Sequence, residues 1–281
     1  MKLSLSVRVA ESFLDKKKAT ATIDELIALA GDNGYEALCM RASQAGTHSS
    51  PETIREKSEK IRAAGLAVSM VTADFAVPMN DHTGPESLRN ITPSLDVAEA
   101  FGTGLIRICM KSEDDIATAQ RASDEAAERG IRLAHQSHLG SLFETTAGAL
   151  RVLEAVGRPN FGIIYEPANW WMVGQDYGPE TIKKLGAHIF NAYTQNHRFN
   201  PESDVYLDTW TKGRVFLDHI GIWEEGGVDS EAMFEGLHAI GYDGYVTVHQ
   251  SFAGIMSIDE SVRKTAEFLK PLLKPRLGSD G

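Results

Sequence analysis

Short apolar runs and longer amphipathic segments alternate along the whole chain. The short runs are rich in Val, Ile, Leu and aromatic residues, a composition that favours β-strands. The segments between them carry apolar residues three and four positions apart, and several begin with Ser, Thr, Asp or Pro and end at Gly, as capped helices do. The pattern predicts eight strands, over residues 3–7, 36–40, 66–73, 105–110, 131–136, 161–166, 189–195 and 245–250.

Strict alternation of strand and helix indicates parallel strands joined by right-handed crossovers, and eight such units favour a closed (β/α)8 barrel. A doubly wound open sheet is the alternative. A dinucleotide-binding sheet would place G-x-G-x-x-G after its first strand, whereas this chain reads RVAESFLDKKKA there. We therefore predict an α/β fold, with one TIM barrel domain over residues 1–281. Pro93 predicts that the third helix begins late, near Ser94.

The segment after the seventh predicted strand is long. Residues 198–228 separate that strand from its helix, whereas a purely structural βα connection needs only about two to six residues. Long ordered loops of this kind usually carry function. We expect this segment to lie over the active site.

Composition narrows the classes of protein and partner. The chain is 42% hydrophobic and 24% charged, which is typical of a folded globular protein. Its net charge of -11 comes without a basic run, so nucleic acid is not an expected partner. The two cysteines lie in apolar runs, which argues against a disulfide framework. Neither a signal peptide nor an 18-residue apolar run is present, so we expect a cytoplasmic protein without a membrane partner.

The carboxyl ends of the strands are where a barrel of this kind builds its active site. Polar and ionisable residues occupy those positions in this chain. Glu166 directly follows the apolar run FGIIY, and a buried carboxylate in such a place needs a partner or a raised pKa. His135 has the opposite strand parity and is expected to face the helices. The candidates are Arg41, Asp74, Lys111, Gln136, His138, Glu166, Asn169, Tyr193, Gln195, His197 and His249.

Three segments carry a family resemblance. LAHQSH, at the fifth strand, resembles an E-x-H motif, and GIIYEPAN, at the sixth, resembles D-P-x-N. EGGVDSEAMFEGLHAIGYDGYVTVHQ is similar to a closing segment with a Gly-rich turn, a helix, G-Y-D-G and a strand that ends in a ligand. The motifs are those of the xylose-isomerase-like sugar isomerase and epimerase superfamily, and the resemblance covers nearly the whole chain.

The resemblance implies a metal-dependent TIM barrel, in which Glu, Asp, His and Glu at the ends of strands five to eight hold the ion. The matching positions here are Gln136, Glu166, Tyr193 and His249, so the chain departs from the family at every ligand. Gln195 and His197 are alternatives for the strand-seven ligand. A ligand set with one carboxylate, one histidine and one amide oxygen binds a metal ion more weakly than the family's set does. It favours Zn, Mn or Co over Mg. We expect a divalent metal ion held by Gln136, Glu166 and His249.

The resemblance implies an enzyme that isomerises or epimerises a sugar or polyol-derived carbonyl compound by removing the proton next to the carbonyl. Such a reaction needs a base and a group that stabilises the enediolate. We assign the catalytic roles to Glu166, His249 and Lys111. The residues expected to bind a sugar-like substrate are His138, Asn169, Gln195, His197, Trp171 and Arg41.

Three other functions remain open. The altered ligand set makes a lyase or hydratase acting on a keto-sugar or glycoside a competitor to an isomerase. A carbohydrate-binding barrel that has lost its metal and its turnover is the second alternative. The third, a DNA-repair barrel of the endonuclease IV type, disagrees with the net charge of -11. By analogy with the family, we also expect a homo-oligomer.

Overall fold

A computed structural model describes residues 1–12, 17–73, 83–252 and 254–275. The strands are β1 (Lys2–Ser6), β2 (Ala37–Met40), β3 (Ala67–Thr72), β4 (Leu105–Ile108), β5 (Arg132–Gln136), β6 (Phe161–Tyr165), β7 (Ile189–Thr194), β8 (His197–Phe199), β9 (Tyr206–Thr209), β10 (Gly213–His219) and β11 (Tyr245–Val248). The α-helices are α1 (Ile23–Asp32), α2 (Pro51–Ala63), α3 (Glu86–Arg89), α4 (Thr92–Phe101), α5 (Asp115–Glu128), α6 (Thr146–Val156), α7 (Pro167–Met172), α8 (Pro179–Leu185), α9 (Ser230–Ala239) and α10 (Ile258–Leu269).

Eight of the strands form a closed parallel barrel in the order β1-β11-β7-β6-β5-β4-β3-β2. The predicted (β/α)8 TIM barrel is therefore confirmed. Each predicted strand overlaps an observed one, with ends that differ by at most two residues. The prediction for the third helix needs a correction. That helix, α4, begins at Thr92 with Pro93 in its first turn, where proline costs no hydrogen bond.

Two apolar layers follow from the period-two alternation of the strands. One layer lies between the strands and the helices and includes the outward residues Leu3 and Leu5. The other fills the barrel interior, with residues from six different strands. It consists of Cys39, Met70, Leu105, Ala134, Ile164, Phe190 and Tyr193. Two residues further along these strands, side chains of the same parity reach the carboxyl-end mouth of the barrel.

The long segment after β7 contains a small sheet of its own. Strands β8, β10 and β9 form a three-stranded antiparallel sheet in that order, and we call residues 197–219 the flap. Apolar side chains fix the flap to the loops that follow β5 and β6, in a cluster of Leu139, Met172, Val173, Val215 and Leu217. The segment predicted as a long ordered loop is thus partly a β-sheet, and it packs on the carboxyl-end side of the barrel.

No membrane-crossing helix is present in the part of the chain that the structure describes, because none of its helices combines the necessary length with the necessary apolar composition.

Candidate active site

Glu166 lies at the centre of the barrel mouth and is fully buried. It directly follows β6, and Pro167 begins helix α7 directly after it. Its carboxylate accepts hydrogen bonds from the side-chain amides of Gln136 and Gln195, and from Nδ2 of Asn169 at 2.9 Å. Three neutral donors, from the end of β5, from α7 and from the residue after β7, therefore hold this carboxylate in place.

Burial raises the pKa of Glu166 to about 7. The amide hydrogen bond from Gln136 and the positive charges of Arg107 and Arg8 act in the opposite direction, but they offset only part of the cost of desolvation. A carboxyl group with such a pKa can take up and release a proton near neutral pH. This property is typical of catalytic acids and bases.

His249 directly follows β11, the last strand, and lies inside the barrel. Its ring stacks on the ring of Tyr193, with centroids 4.0 Å apart and planes within 11° of each other. Its Nδ1 is 3.2 Å from the Ser6 hydroxyl. Burial and the charges of nearby arginines hold the pKa of His249 well below its usual range, so the imidazole is neutral.

His138 is half-buried at the edge of the mouth. Its Nδ1 donates to the carbonyl oxygen of Leu139 at 2.8 Å, so Nε2 of the neutral ring carries no proton. Burial lowers the pKa of His138 to about 3. His135, in contrast, stacks on Phe143 of the layer between strands and helices, with centroids 4.3 Å apart, as its strand parity predicts. His138 is thus the histidine of the fifth-strand motif that reaches the mouth with a free acceptor nitrogen.

Three arginines lie at the same end of the barrel. Arg8 is in the short 3-10 turn after β1, Arg41 follows β2, and Arg107 is inside β4. Sequence analysis identified only Arg41. Arg107 was not among the candidates because it lies in the middle of an apolar strand. It is two residues beyond Leu105, an interior residue, and this parity indicates that it points into the barrel.

Glu11 fixes one of these arginines. Its carboxylate pairs with Arg41 through two hydrogen bonds, Nε to Oε2 at 2.8 Å and Nη2 to Oε1 at 3.2 Å. Nη1 of Arg8 lies 4.0 Å from the same carboxylate. The first strand–helix connection therefore ties the arginines of two neighbouring strands together.

The flap is attached to the mouth by polar and aromatic contacts. Within the flap, Nδ1 of His197 on β8 lies 3.0 Å from Nδ1 of His219 on β10, so these two strands also meet through their imidazoles. Trp171 of α7 stacks on Phe199, with centroids 4.2 Å apart. His197 is thus part of the flap and Trp171 contacts it, whereas Glu166 is bound by other residues.

A buried carboxylate secures the far end of the flap. Glu144 accepts hydrogen bonds from the backbone amides of Trp210 at 2.9 Å and Thr211 at 2.7 Å, and from that of Gly140 at 2.6 Å. Lys111 donates from Nζ to the carbonyl oxygen of Gly140 at 2.6 Å. Lys111 therefore lies beside the loop that carries the flap. Asp74 lies outside the described residues.

The expected metal ligands do not form a metal site. Among the residues that the structure describes, no group of three or more His, Cys, Asp or Glu side chains is placed to hold an ion. Both oxygens of Glu166 accept amide hydrogen bonds, and Gln136 turns its NH2 group, which cannot ligate a metal, toward them. The nearby charges of Arg8 and Arg107 oppose a divalent cation. The expectation of a metal on Gln136, Glu166 and His249 therefore does not fit this donor set.

Comparison with curated proteins finds an inosose dehydratase of Geobacillus thermodenitrificans (strain NG80-2). It is 26% identical to this chain over 137 residues. The match covers 46% of this chain and 43% of that protein, so the chain spans less than half of the relative that it matches.

Solved structures share the fold over nearly the whole chain. The probable 3-DHS dehydratase AsbF from Bacillus anthracis has a TM-score of 0.70 at 16% identity, covering 96% of this chain and 99% of that one. The IOLI protein with a bound zinc atom has a TM-score of 0.70 at 15% identity, with 97% and 98% covered. D-allulose 3-epimerase from Methylomonas sp. in complex with D-allulose has a TM-score of 0.66 at 17% identity, with 96% of each chain covered.

The family comparison agrees with the barrel topology. The profile described as xylose isomerase-like TIM barrel matches residues 25–272, which is most of the chain. The chain belongs to the xylose isomerase-like TIM barrel family.

Proposed function

We propose that the protein is an enzyme that removes the proton next to the carbonyl group of a sugar or polyol-derived compound. The observation that carries this proposal is the buried Glu166, whose pKa of about 7 suits a general base at neutral pH. The carboxylate has about four lone-pair sites and uses three of them on amide donors, so it keeps one for a substrate proton.

The residues around Glu166 supply the other parts of such a reaction. Neutral His249 lies with Nδ1 3.2 Å from the Ser6 hydroxyl, and in the tautomer that carries the proton on Nε2 it donates a hydrogen bond to the enediolate oxygen. His138 offers Nε2 as an acceptor for a substrate hydroxyl or for the second proton transfer. The buried Oε1 of Gln136, which has no hydrogen-bond partner among the described residues, accepts from another substrate hydroxyl.

The remaining candidates act at the edge of the mouth. Trp171 offers an aromatic face for the C–H side of a sugar ring, beside its stack on Phe199. Lys111 is half-buried and holds a substrate oxygen in exchange for its contact with Gly140. His197 is on the flap, which encloses the substrate. Arg41 lies at the same end of the barrel, where Glu11 accepts its hydrogen bonds.

The primary proposal is an isomerase or epimerase, in which the proton returns to the substrate after its removal. A dehydratase is the second candidate, and it is supported by the similarity to an inosose dehydratase and to the probable 3-DHS dehydratase AsbF. Both reactions begin with the same proton abstraction. They differ in the next step, because a dehydratase then expels a hydroxyl group from the neighbouring carbon.

Isotope exchange in D2O tests the shared step and separates the two outcomes. The full chain is incubated with D-allulose, with inosose and with 3-DHS, and each compound is followed by NMR and mass spectrometry. Incorporation of deuterium next to the carbonyl, without loss of water from the compound, identifies an isomerase or epimerase. Loss of water identifies a dehydratase.

The matched variants are Glu166→Gln, which must abolish exchange, and Glu154→Gln on the exposed side of α6, which must not. Binding of these compounds without any exchange would contradict the proposal and favour the non-catalytic carbohydrate-binding barrel. The cytoplasmic location and the homo-oligomer remain predictions.

A further inference from the structure

Exposed aromatic side chains concentrate on the flap. Among the residues that the structure describes, six large apolar side chains are exposed, and one of them, Ile255, lies in the loop after β11. The other five all belong to the flap, and they are Phe199, Val205, Tyr206, Trp210 and Phe216. Large apolar groups gathered on one surface usually mark a contact with another molecule. The flap therefore needs an explanation beyond covering the mouth.

The two faces of the flap differ. Val215 and Leu217 of β10 are buried and join the apolar cluster that fixes the flap to the barrel loops. Successive side chains of a strand point to opposite faces, so Arg214, Phe216 and Asp218 point away from the barrel. Arg214 and Phe216 are accordingly exposed. We call the side that carries these three residues the outer face of the flap.

Strand β9 extends the outer face. Tyr206 is opposite Phe216 in the antiparallel pair, and their ring centroids lie 5.8 Å apart. Asp208 is opposite Arg214 and forms an ion pair with it at 3.2 Å. The outer face thus has two adjoining rings at its centre, of which Tyr206 is 45% and Phe216 37% exposed.

The order of charges along β10 indicates what kind of surface would fit the outer face. Arg214 and Asp218 lie on opposite sides of Phe216, each two residues away along the strand, a distance of about 6.6 Å. A second copy of β10 that runs antiparallel above the first places Phe216 against Phe216 and each Arg214 opposite Asp218 of the other copy. The outer face is therefore complementary in charge to itself, as the two-fold contact of a homodimer requires.

Both charges are free to take part in such a contact. The ion pair of Arg214 with Asp208 is at the surface, with side chains 50% and 69% exposed, and exposed pairs of this kind contribute little to stability. Asn200 donates a hydrogen bond to Asp218 at 2.7 Å. This hydrogen bond holds the pKa of Asp218 below its usual range, so the carboxylate is charged at neutral pH.

Two further observations favour a second copy of the chain over other occupants. The net charge of the chain is -11, which makes most of its surface repel another copy, whereas the flap carries three basic and four acidic residues and is nearly neutral. The guanidinium of Arg214 also lies over the ring of Tyr206, 3.9 Å from its centroid. That ring face is covered, so it is not open to the C–H side of a sugar.

We propose that the outer face of the flap is a homodimer interface, in which two antiparallel copies of β10 meet at Phe216 and each Arg214 pairs with Asp218 of the second copy. Two sheets commonly pack face to face in this way, with their strands within about 30° of each other. Aromatic and arginine side chains are also the residues that most often dominate the binding energy of protein interfaces. The interface is on the side of the flap that faces away from Glu166, so the inference does not depend on the proposed reaction.

Sedimentation velocity on the full chain at a series of concentrations tests the interface. We expect a monomer–dimer equilibrium, and we expect Phe216→Ser to raise the dissociation constant of the dimer at least about tenfold, because it removes the central aromatic side chain. The matched control is Ile255→Ser, which removes an exposed apolar side chain outside the flap and must leave the constant unchanged. A wild-type chain that is monomeric at every concentration, or a dimer that Phe216→Ser leaves intact, overturns the inference.

Charge reversal tests the antiparallel arrangement. Arg214→Asp and Asp218→Arg should each weaken the dimer by about tenfold or more, because each brings like charges together twice. An equimolar mixture of the two variants should restore it, since both contacts then join Asp to Arg. Arg263→Asp, on the exposed side of α10, is the control and must leave the dimer intact. A mixture that stays monomeric while both variants keep the wild-type circular dichroism spectrum overturns the proposal.

A carbohydrate occupant would give a different result. Maltotetraose is titrated into the wild-type chain and into Phe216→Ser by calorimetry. We expect no binding that depends on Phe216. A monomeric wild-type chain that binds maltotetraose, and loses this binding in Phe216→Ser, would assign the outer face to carbohydrate and overturn the homodimer. If a charge variant loses its circular dichroism spectrum, Phe216→Ser decides the question, because its side chain points into solvent.

Discussion

Gln195 donates its hydrogen bond to Oε1 of Glu166, the oxygen that the amides of Gln136 and Asn169 leave untouched. Each carboxylate oxygen thus has its own neutral donor. Because a hydrogen bond to the charged form favours ionisation, Gln195 lowers the pKa of Glu166 against the effect of burial.

The pH dependence of catalysis should report this carboxylate. A general base must be ionised, so kcat/KM is expected to fall about tenfold per pH unit below the Glu166 pKa of about 7 and to be constant above it. His138 and His249 stay neutral through this range and add no step. Gln195→Leu removes a donor to the charged form, and the rising limb moves to higher pH. A flat profile between pH 6 and 8, or one that falls as pH rises, would contradict the assignment.

Glu166→Gln should reduce turnover by about 10²-fold or more, the loss expected for a general base. The thermal midpoint should stay within a few degrees (~1 kcal/mol), because the amide preserves the volume and the change removes a desolvated charge. Steady-state kinetics and calorimetry measure the two effects, with Glu154→Gln as the control. Near-normal turnover, or failure to fold, would assign Glu166 to the scaffold.

Glu144→Ala should loosen the flap without unfolding the barrel. The substitution leaves the amides of Gly140, Trp210 and Thr211 without their acceptor, at a cost of roughly 1–3 kcal/mol for each donor that stays buried. Hydrogen exchange is expected to accelerate over residues 206–213 and to stay slow in the barrel strands. Thr211→Val, which removes only the hydroxyl contact to Glu144, should have a smaller effect. Unchanged exchange in the flap would refute the role of this carboxylate.

Chelation should leave the folded protein unchanged. The amides around Glu166 occupy its oxygens and the arginines repel a divalent cation, so EDTA is expected to shift the thermal midpoint by no more than the error of the scan. Added Zn or Mn should not raise it, since a ligand stabilises only the state that binds it. Stoichiometric metal in elemental analysis, together with a lower midpoint in EDTA, would overturn this prediction.

The barrel could be predicted from the sequence because the pattern that specifies each strand and helix is local and is repeated eight times. Each barrel strand is an apolar run, and several helices have their own caps, such as Thr22 with Glu25 at α1 and Gly157 after α6. The flap could not be predicted in the same way. Two of its three strands, β8 and β9, are short and mostly exposed, so their side chains lack the apolar alternation that burial on one face imposes.

Parity along the strands predicts which candidates point into the mouth, and Gln136, Glu166 and His249 follow it. What the sequence could not show is how polar groups pair. The family pattern suggested an ion between Gln136 and Glu166, whereas the amide donates directly to the carboxylate. Arg8 and Arg107 lie far from the motifs that carry the resemblance, and only the closed barrel brings them beside Glu166.

The seam of the barrel runs through the active site. β1 and β11 pair at the two ends of the described chain, from Lys2 with Tyr245 to Leu5 with Val248, and Ser6 contacts His249 across 243 positions of sequence. Closing so long a loop costs chain entropy, and this cost comes before the contacts between the two strands can stabilise the fold. Helices and neighbouring strands can assemble from local contacts during folding, whereas His249 reaches its place only when the ring shuts. The rate at which activity returns on refolding would therefore report the closure of the barrel, and not the formation of secondary structure.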